Sequence, residues 1–351
     1  MSRRGSTIIK AARIFSPAGE RAGKKYVFLK DGLIEAVSSR RPDHSGADFL
    51  DFSGYSVSPL FCDYHLHFSG TASADSEIVA RALLNCGIHR VAEGGDSQLS
   101  GLEMQQLLKN RVEVRRSGYA IYKKGTYGKH IGHEVEGPDD AIELIDYLCN
   151  LRVDYIKIIN SGIVLPETGA ITPGGFEKGE LIEIIRYVKR RGMDCFCHAN
   201  GDERIREAVL AGAAAIIHGF YISDEILELM ADYQTAFIPT VNAFACLSAM
   251  VPAPALQSWE DAVGRHLRMV KKAEEKGVKI LPGSDSGPEF IPYGTSYLRE
   301  LQLFKKAGIP TDDILSSACT DQLTAGSPAD FLVLDGLKIK KVFLSGERLI
   351  L

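Results

Sequence analysis

Apolar residues along this chain fall into short runs separated by longer amphipathic stretches. Strand-like runs begin near residues 57, 89, 119, 155, 194, 215, 236 and 279. Between several of them the apolar period lengthens from two residues to about 3.6, the signature of a helix. Across 179–190, Leu181, Ile184, Ile185 and Val188 fall in register; across 202–210, Ile205, Ala208 and Val209 share one face, and Gly212 supplies a stop. Runs that alternate with helices predict an α/β fold with parallel strands. A mean spacing of roughly 32 residues is that of a closed TIM (β/α)8 barrel.

The two ends of the chain break this alternation. Thr7, Ile8 and Ile9 open a strand, and Tyr26-Val27-Phe28-Leu29 and Leu33-Ile34-Glu35-Ala36-Val37 flank Lys30-Asp31-Gly32. Asp-Gly between two apolar runs is a strong hairpin signal. Near the C-terminus, Phe331-Leu332-Val333-Leu334 stops at Asp335-Gly336, while Val342-Phe343-Leu344 and Leu349-Ile350 flank Ser345-Gly346. We expect a small β-sandwich domain built from both termini (1–54 and 327–351) beside a barrel domain spanning 55–326.

Chemistry enters at the ends of the apolar runs. His65-Leu66-His67 follows Val57-Ser58-Pro59-Leu60-Phe61. Side chains at i and i+2 of a strand point the same way, so two imidazoles share one face and can clamp a metal ion. Lys157 lies in Asp154-Tyr155-Ile156-Lys157-Ile158-Ile159, His198 ends Asp194-Cys195-Phe196-Cys197-His198, and His218 ends Ala214-Ala215-Ile216-Ile217-His218. Asp285 follows Val278-Lys279-Ile280-Leu281-Pro282-Gly283-Ser284. Each of these has a plainer reading alone: a half-buried His pair, a snorkelling lysine, an aspartate capping a turn. In a parallel barrel, however, strand C-termini converge on the rim that carries the chemistry.

Composition narrows the partners. The 351 residues allow a barrel and a smaller domain, and a net charge of −4 without a long basic run argues against a nucleic-acid surface. Met1-Ser2-Arg3-Arg4 leads into Lys10 and Arg13 instead of an apolar block, and no run is long enough to span a bilayer. A cytoplasmic protein with reduced, mostly buried thiols is expected, because the seven cysteines are scattered and odd in number. His89 is expected at the opposite rim or in a structural role; His44 and His266 are expected to be exposed.

The same residues resemble the amidohydrolase superfamily almost end to end. The likeness runs through Asp63-Tyr64-His65-Leu66-His67, the strand Tyr155 to Ile159, His198-Ala199-Asn200-Gly201, His218-Gly219, Gly283-Ser284-Asp285 and Gly326-Ser327-Pro328-Ala329-Asp330-Phe331. It is strongest toward the imidazolonepropionase-like branch that includes Xaa-Pro dipeptidases. The resemblance implies two divalent metal ions, zinc first among the candidates. His65 and His67 would hold one ion, His198 and His218 the other, and Lys157, carboxylated by CO2, would bridge both. Asp285 would bind the first ion and carry the proton. A metal-bridging hydroxide would then attack the amide of a dipeptide or N-acyl amino acid.

For substrate contacts the loops after the strands offer Tyr127, His130, Asn160, Arg204, Tyr221 and Asn242. Gly128-Lys129-His130-Ile131-Gly132-His133 departs from the branch's Gly-Gly-His-Gly-like pattern, which weakens a proline-dipeptide specificity. The connection from Ser317-Ala318-Cys319-Thr320 to Gly326 is also shorter than in relatives. The same site could serve a lactonase, another ester-type hydrolase or a cyclic-amide hydrolase. A mononuclear deaminase and a non-catalytic scaffold are the remaining alternatives. The expected partner is a small-molecule substrate, with neither nucleic acid nor membrane, and a homo-oligomer is compatible with such barrels.

Overall fold

A computed structural model describes residues 5–68, 75–319 and 321–349. The chain divides into two compact units, one of Met1–Cys62, Arg81–His89 and Ile309–Leu351, the other of Asp63–Ala80 and Arg90–Gly308. In chain order the first strands are β1 (Ser6–Ser16), β2 (Gly19–Glu20), β3 (Tyr26–Lys30), β4 (Leu33–Ser38), β5 (Asp48–Pro59), β6 (Phe61–Leu66), β7 (Ile88–Glu93) and β8 (Glu113–Arg116). They are followed by β9 (Ala120–Lys123), β10 (Gly132–Val135), β11 (Ile156–Ile159), β12 (Cys195–Ala199), β13 (Ala215–His218) and β14 (Ala236–Ile238). The last three are β15 (Phe331–Asp335), β16 (Lys338–Leu344) and β17 (Glu347–Arg348).

The smaller unit is built on an eight-stranded sheet in the order β17-β16-β15-β5-β1-β3-β4, with β2 paired to β1. The Asp31-Gly32 turn joins antiparallel β3 and β4, both residues in the left-handed region at φ 51 and 81. That region favours glycine and tolerates aspartate, which explains the hairpin signal. Ile9, Ile14, Val27, Val57, Phe331 and Phe343 form its buried core. The Phe331 and Phe343 rings stack 4.5 Å apart. The strand expected at Leu349-Ile350 ends in part outside the described residues; β17 stops at Arg348.

The larger unit is mixed α/β. Strands β9 to β14 form a six-stranded sheet in the order β10-β9-β11-β12-β13-β14, every pair parallel. A second sheet has the order β6-β7-β8, with β7 and β8 parallel. Residues 279–286, read as a strand in sequence, form only isolated parallel bridges, Phe237 with Ile280 and Leu66 with Ser286. Backbone hydrogen bonds nevertheless fix this segment along β6: Asp285 N–H donates to His65 O at 2.7 Å and His67 N–H to Ser286 O at 2.7 Å. Tyr155, Phe196, Ile217, Ile238 and Leu281 pack into one buried cluster beneath the strand ends.

The helices follow their apolar faces. Helix Lys178–Arg190 buries Leu181, Ile184, Ile185 and Val188 and starts with a capping box between Glu177 and Glu180. Helix Asp202–Ala211 ends at Gly212, φ 97, a conformation that glycine adopts without a Cβ penalty. His266, expected on a solvated face, is instead buried in helix Ala253–Glu275, where it packs against Phe220 and Phe244 and bonds Pro239 O at 2.9 Å. Among the described residues no helix is long and apolar enough to cross a membrane.

Candidate metal centre

The larger unit gathers His65, His67, Lys157, His198, His218 and Asp285 around one cavity of about 280 Å³. The strands deliver them side by side: Ile159 pairs with His198, and Ala199 with His218. Ring centroids are 4.8 Å apart for His65 and His67, 5.4 Å for His65 and His218, and 4.7 Å for His198 and His218. The nearest donor atoms of His65, His67 and Asp285 all lie within 4.8 Å of one another.

Each imidazole presents a nitrogen that the protein leaves free. His67 Nδ1 faces the Gly95 carbonyl at 2.9 Å. A carbonyl only accepts, so Nδ1 carries the proton and Nε2 keeps its lone pair. His198 Nε2 lies 3.1 Å from Gly162 O and 3.4 Å from Asn200 Nδ2; both contacts are on Nε2, which leaves Nδ1 toward the cavity. His218 Nδ1 meets Thr240 Oγ1 at 2.8 Å, which orients its ring. His65 is fully buried, and among the described residues neither of its ring nitrogens has a hydrogen-bond partner. Nε2 lies 3.2 Å from Asp285 Oδ1, yet burial holds the imidazole well below its usual pKa, so it is neutral and this approach is not an ion pair. Buried polar atoms normally find partners; two donors aimed at one point without bonding each other fit a cation between them.

Electrostatics point the same way. Burial brings the Lys157 amine down to about 8, against the opposing pull of Asp285. Burial also lowers His198 to about 4 and His218 well below the imidazole range, and raises Asp285 from its ordinary value. His218 and Asp285 both occupy the left-handed backbone region, at φ 71 and 57. Such conformations are uncommon for residues other than glycine and concentrate at functional sites.

Several supporting residues gave no recognisable signal in sequence. Asp63, buried and raised by that burial to about 7, accepts the N–H of His65 at 3.2 Å and of Ser284 at 2.9 Å. Glu93, at the end of β7, accepts the Gly95 N–H at 2.7 Å with one oxygen, while the other has no hydrogen-bond partner. Glu300 accepts the N–H groups of Val241 and Asn242 at 2.9 and 2.6 Å, holding the start of helix Val241–Leu247. Gly94 leaves room for the paired imidazoles: a Cβ there would stand 2.4 Å from His65 Cε1 and 2.8 Å from His67 Cε1.

The residues named for substrate contact divide. Tyr127 and His130 line the cavity with the histidines. Asn160 is committed elsewhere, with Nδ2 on Arg204 O at 3.1 Å and Oδ1 accepting Phe176 N–H at 3.1 Å. The Arg204 guanidinium binds Phe176 O at 2.8 Å and Glu207 at 3.0 Å. Asn242 Nδ2 reaches Cys246 Sγ at 3.6 Å. Asn160, Arg204, Tyr221 and Asn242 are not among the described residues lining this cavity or the apolar one beside it. That second cavity, about 400 Å³, shares Tyr127, His198, His218, Asp285 and Pro288 with the first.

Residues 56–349 match the amidohydrolase family. The chain belongs to that family. It is 25% identical over 226 residues to the ochratoxinase of Aspergillus niger, a stretch covering 61% of this chain and 46% of that protein. The match thus spans about half the length of that curated relative. Among solved structures, a Xaa-Pro dipeptidase with methionine bound in its active site superposes with a TM-score of 0.81 at 18% identity, over 98% of this chain and 100% of that one. The A. niger ochratoxinase structure gives 0.77 at 18% identity, over 99% and 96%.

Proposed function

We propose that the protein is a binuclear-metal-dependent amidohydrolase that cleaves the amide C–N bond of a small molecule. The observation that carries this reading is the convergence of four buried imidazoles, Lys157 and Asp285 on one cavity, with His65 having no hydrogen-bond partner on either nitrogen among the described residues. In this reading the parallel strands with residues 279–286 form a (β/α)8 barrel over 55–326, and the termini form the small β-sandwich domain.

His65 and His67 would hold one divalent ion, His198 and His218 the other, with Asp285 on the first and Lys157 between them; zinc is the proposed metal. Bound there, the metals would lower the pKa of a water molecule and polarise the amide carbonyl. A Lys157 pKa of about 8 leaves part of the amine unprotonated near neutrality. Its nitrogen can then form an N–C bond to CO2 and release a proton, converting a poor cationic ligand into an anionic carbamate. Asp285 Oδ1 is 3.2 Å from His65 Nε2 and 3.5 Å from His67 Nε2, and in this reading its carboxylate takes a proton and passes it to the leaving nitrogen. Small-molecule amides, with and without a carboxylate beside the scissile bond as in dipeptides and N-acyl amino acids, are the compounds to assay, with lactones as the ester-type comparison.

The test is metal content per chain by plasma mass spectrometry, on protein purified without chelator and on Lys157→Ala. Two metals in the wild type, with loss in the variant, is the expected result. One metal in both would replace this reading with a mononuclear one. Failure to retain or reconstitute any metal would overturn it.

A further inference from the structure

The second cavity shares its inner end with the metal-site residues, and beyond them and the amide of Asn200 its wall is mostly apolar. Val164, Phe244 and Ile291 are buried in it, Leu165 and Leu247 are half-buried, and Phe290 stands at the rim. No lysine or arginine lines it among the described residues; its only ionisable groups besides the shared Tyr127, His198, His218 and Asp285 are those of the exposed Glu167. The metal cavity adds one lysine, Lys157, and three imidazoles, those of the buried His65 and His67 and of the exposed His130. Arg204 is held by Phe176 O and Glu207. The sequence of 69–74 contains no Lys, Arg or His.

A free carboxylate beside the scissile amide, as in any dipeptide or N-acyl amino acid, must be desolvated on entry. Recognition of such a group generally relies on a charge-assisted partner, commonly a bidentate arginine. Beyond the metal-site residues this wall offers none, and the exposed Glu167 would repel it. An aryl or branched alkyl group would instead bury apolar area against Phe244, Leu247 and Ile291.

We propose that the substrate is an uncharged amide whose apolar group fills this cavity, and that a carboxylate next to the scissile bond is selected against. This rests on the amidohydrolase reading above. The structure provides a binding reporter that does not depend on turnover. Trp259, the single tryptophan, donates Nε1–H to Phe244 O at 3.1 Å, with its ring 6.3 Å from that of Phe244.

The experiment uses the metal-loaded full chain and two amides that differ only by a carboxylate, N-(2-phenylethyl)benzamide and N-benzoylphenylalanine. The corresponding sulfonamides, which are not hydrolysed, are titrated against Trp259 fluorescence. We expect at least tenfold higher kcat/KM and tenfold tighter binding for the uncharged member of each pair. Phe290→Arg, a rim substitution that leaves the buried wall intact, should narrow both ratios by about threefold, the size of an exposed ion pair. Equal or better binding of the carboxylate sulfonamide, or no binding of either, overturns the inference. Selective binding of the uncharged sulfonamide without hydrolysis of either amide would leave it standing and overturn the hydrolase reading.

Discussion

Asp63 and Ser284 are joined across 221 residues of chain by the Ser284 N–H to Asp63 Oδ1 hydrogen bond at 2.9 Å, with the serine hydroxyl on Oδ2. The same carboxylate accepts the His65 N–H, so one side chain sets both the paired-histidine strand and the segment carrying Asp285. Asp63→Ala leaves these buried N–H groups unpaired, at a cost of about 1–3 kcal/mol each. We expect a melting temperature several degrees lower and weakened metal retention, read by thermal unfolding and metal analysis on the same preparation. Unchanged values in both would remove Asp63 from this role.

Gly94→Ala should disturb the site with little effect on the fold. Its Cβ would overlap both His65 and His67 rings, and overpacking of this kind costs roughly 1–3 kcal/mol. The expected outcome is native far-UV circular dichroism with a loss of metal per chain. Full metal occupancy would mean that the imidazoles can retreat.

Thr240 holds the His218 ring by its hydroxyl. Removal of such an orienting partner commonly weakens metal affinity 10- to 100-fold. Thr240→Ala should show that loss in competition with a metal-sensitive dye, while Thr240→Ser, which keeps the oxygen, should remain near wild type. Equal affinities for the two variants would assign the effect to backbone strain at φ 47 instead.

Asp285→Asn would remove the proposed proton carrier but keep an oxygen donor. Turnover should fall by orders of magnitude while part of the metal is retained. Near-normal kcat in this variant would assign the proton transfer to another group.

Glu300 gives a pH prediction. Burial raises its carboxyl from 4.5 to about 8, so between these values the folded chain holds a proton that the unfolded chain has lost. Stability from this group is therefore complete below pH 4.5 and declines as pH rises through 8. In metal-free protein, Glu300→Gln should start less stable at pH 5, because one N–H loses its acceptor, and should decline less toward pH 8. Parallel melting curves against pH would refute this assignment.

The sequence signals that worked were those with a clear period. Helices around Leu181 to Val188 and Ile205 to Val209 follow their apolar faces to within a residue or so. The runs ending near His65, Lys157, His198 and His218 are strands whose ends face one cavity. Two short parallel strands, β8 and β10, escaped notice because Glu113-Val114-Arg115-Arg116 and Gly132-His133-Glu134-Val135 are too polar to stand out as apolar runs. Glu300 lies in the helix Thr295–Lys306 and reads as an ordinary surface glutamate; only the fold brings it to the start of another helix. His266 misled for the same reason, since its neighbours Arg265 and Arg268 are charged while its own position faces Phe220 and Phe244.

The pairing of Asp63 with Ser284 also has a consequence during synthesis. A chain emerging from the ribosome displays His65, His67, Lys157, His198 and His218 long before Asp285 exists, and the 279–286 segment is fastened by side-chain and isolated backbone bonds of very long sequence separation. Contacts of that span form late, because their loop entropy must be overcome first. Completion of the site by Asp285 therefore waits until 285 of the 351 residues have been synthesised, 67 residues after His218.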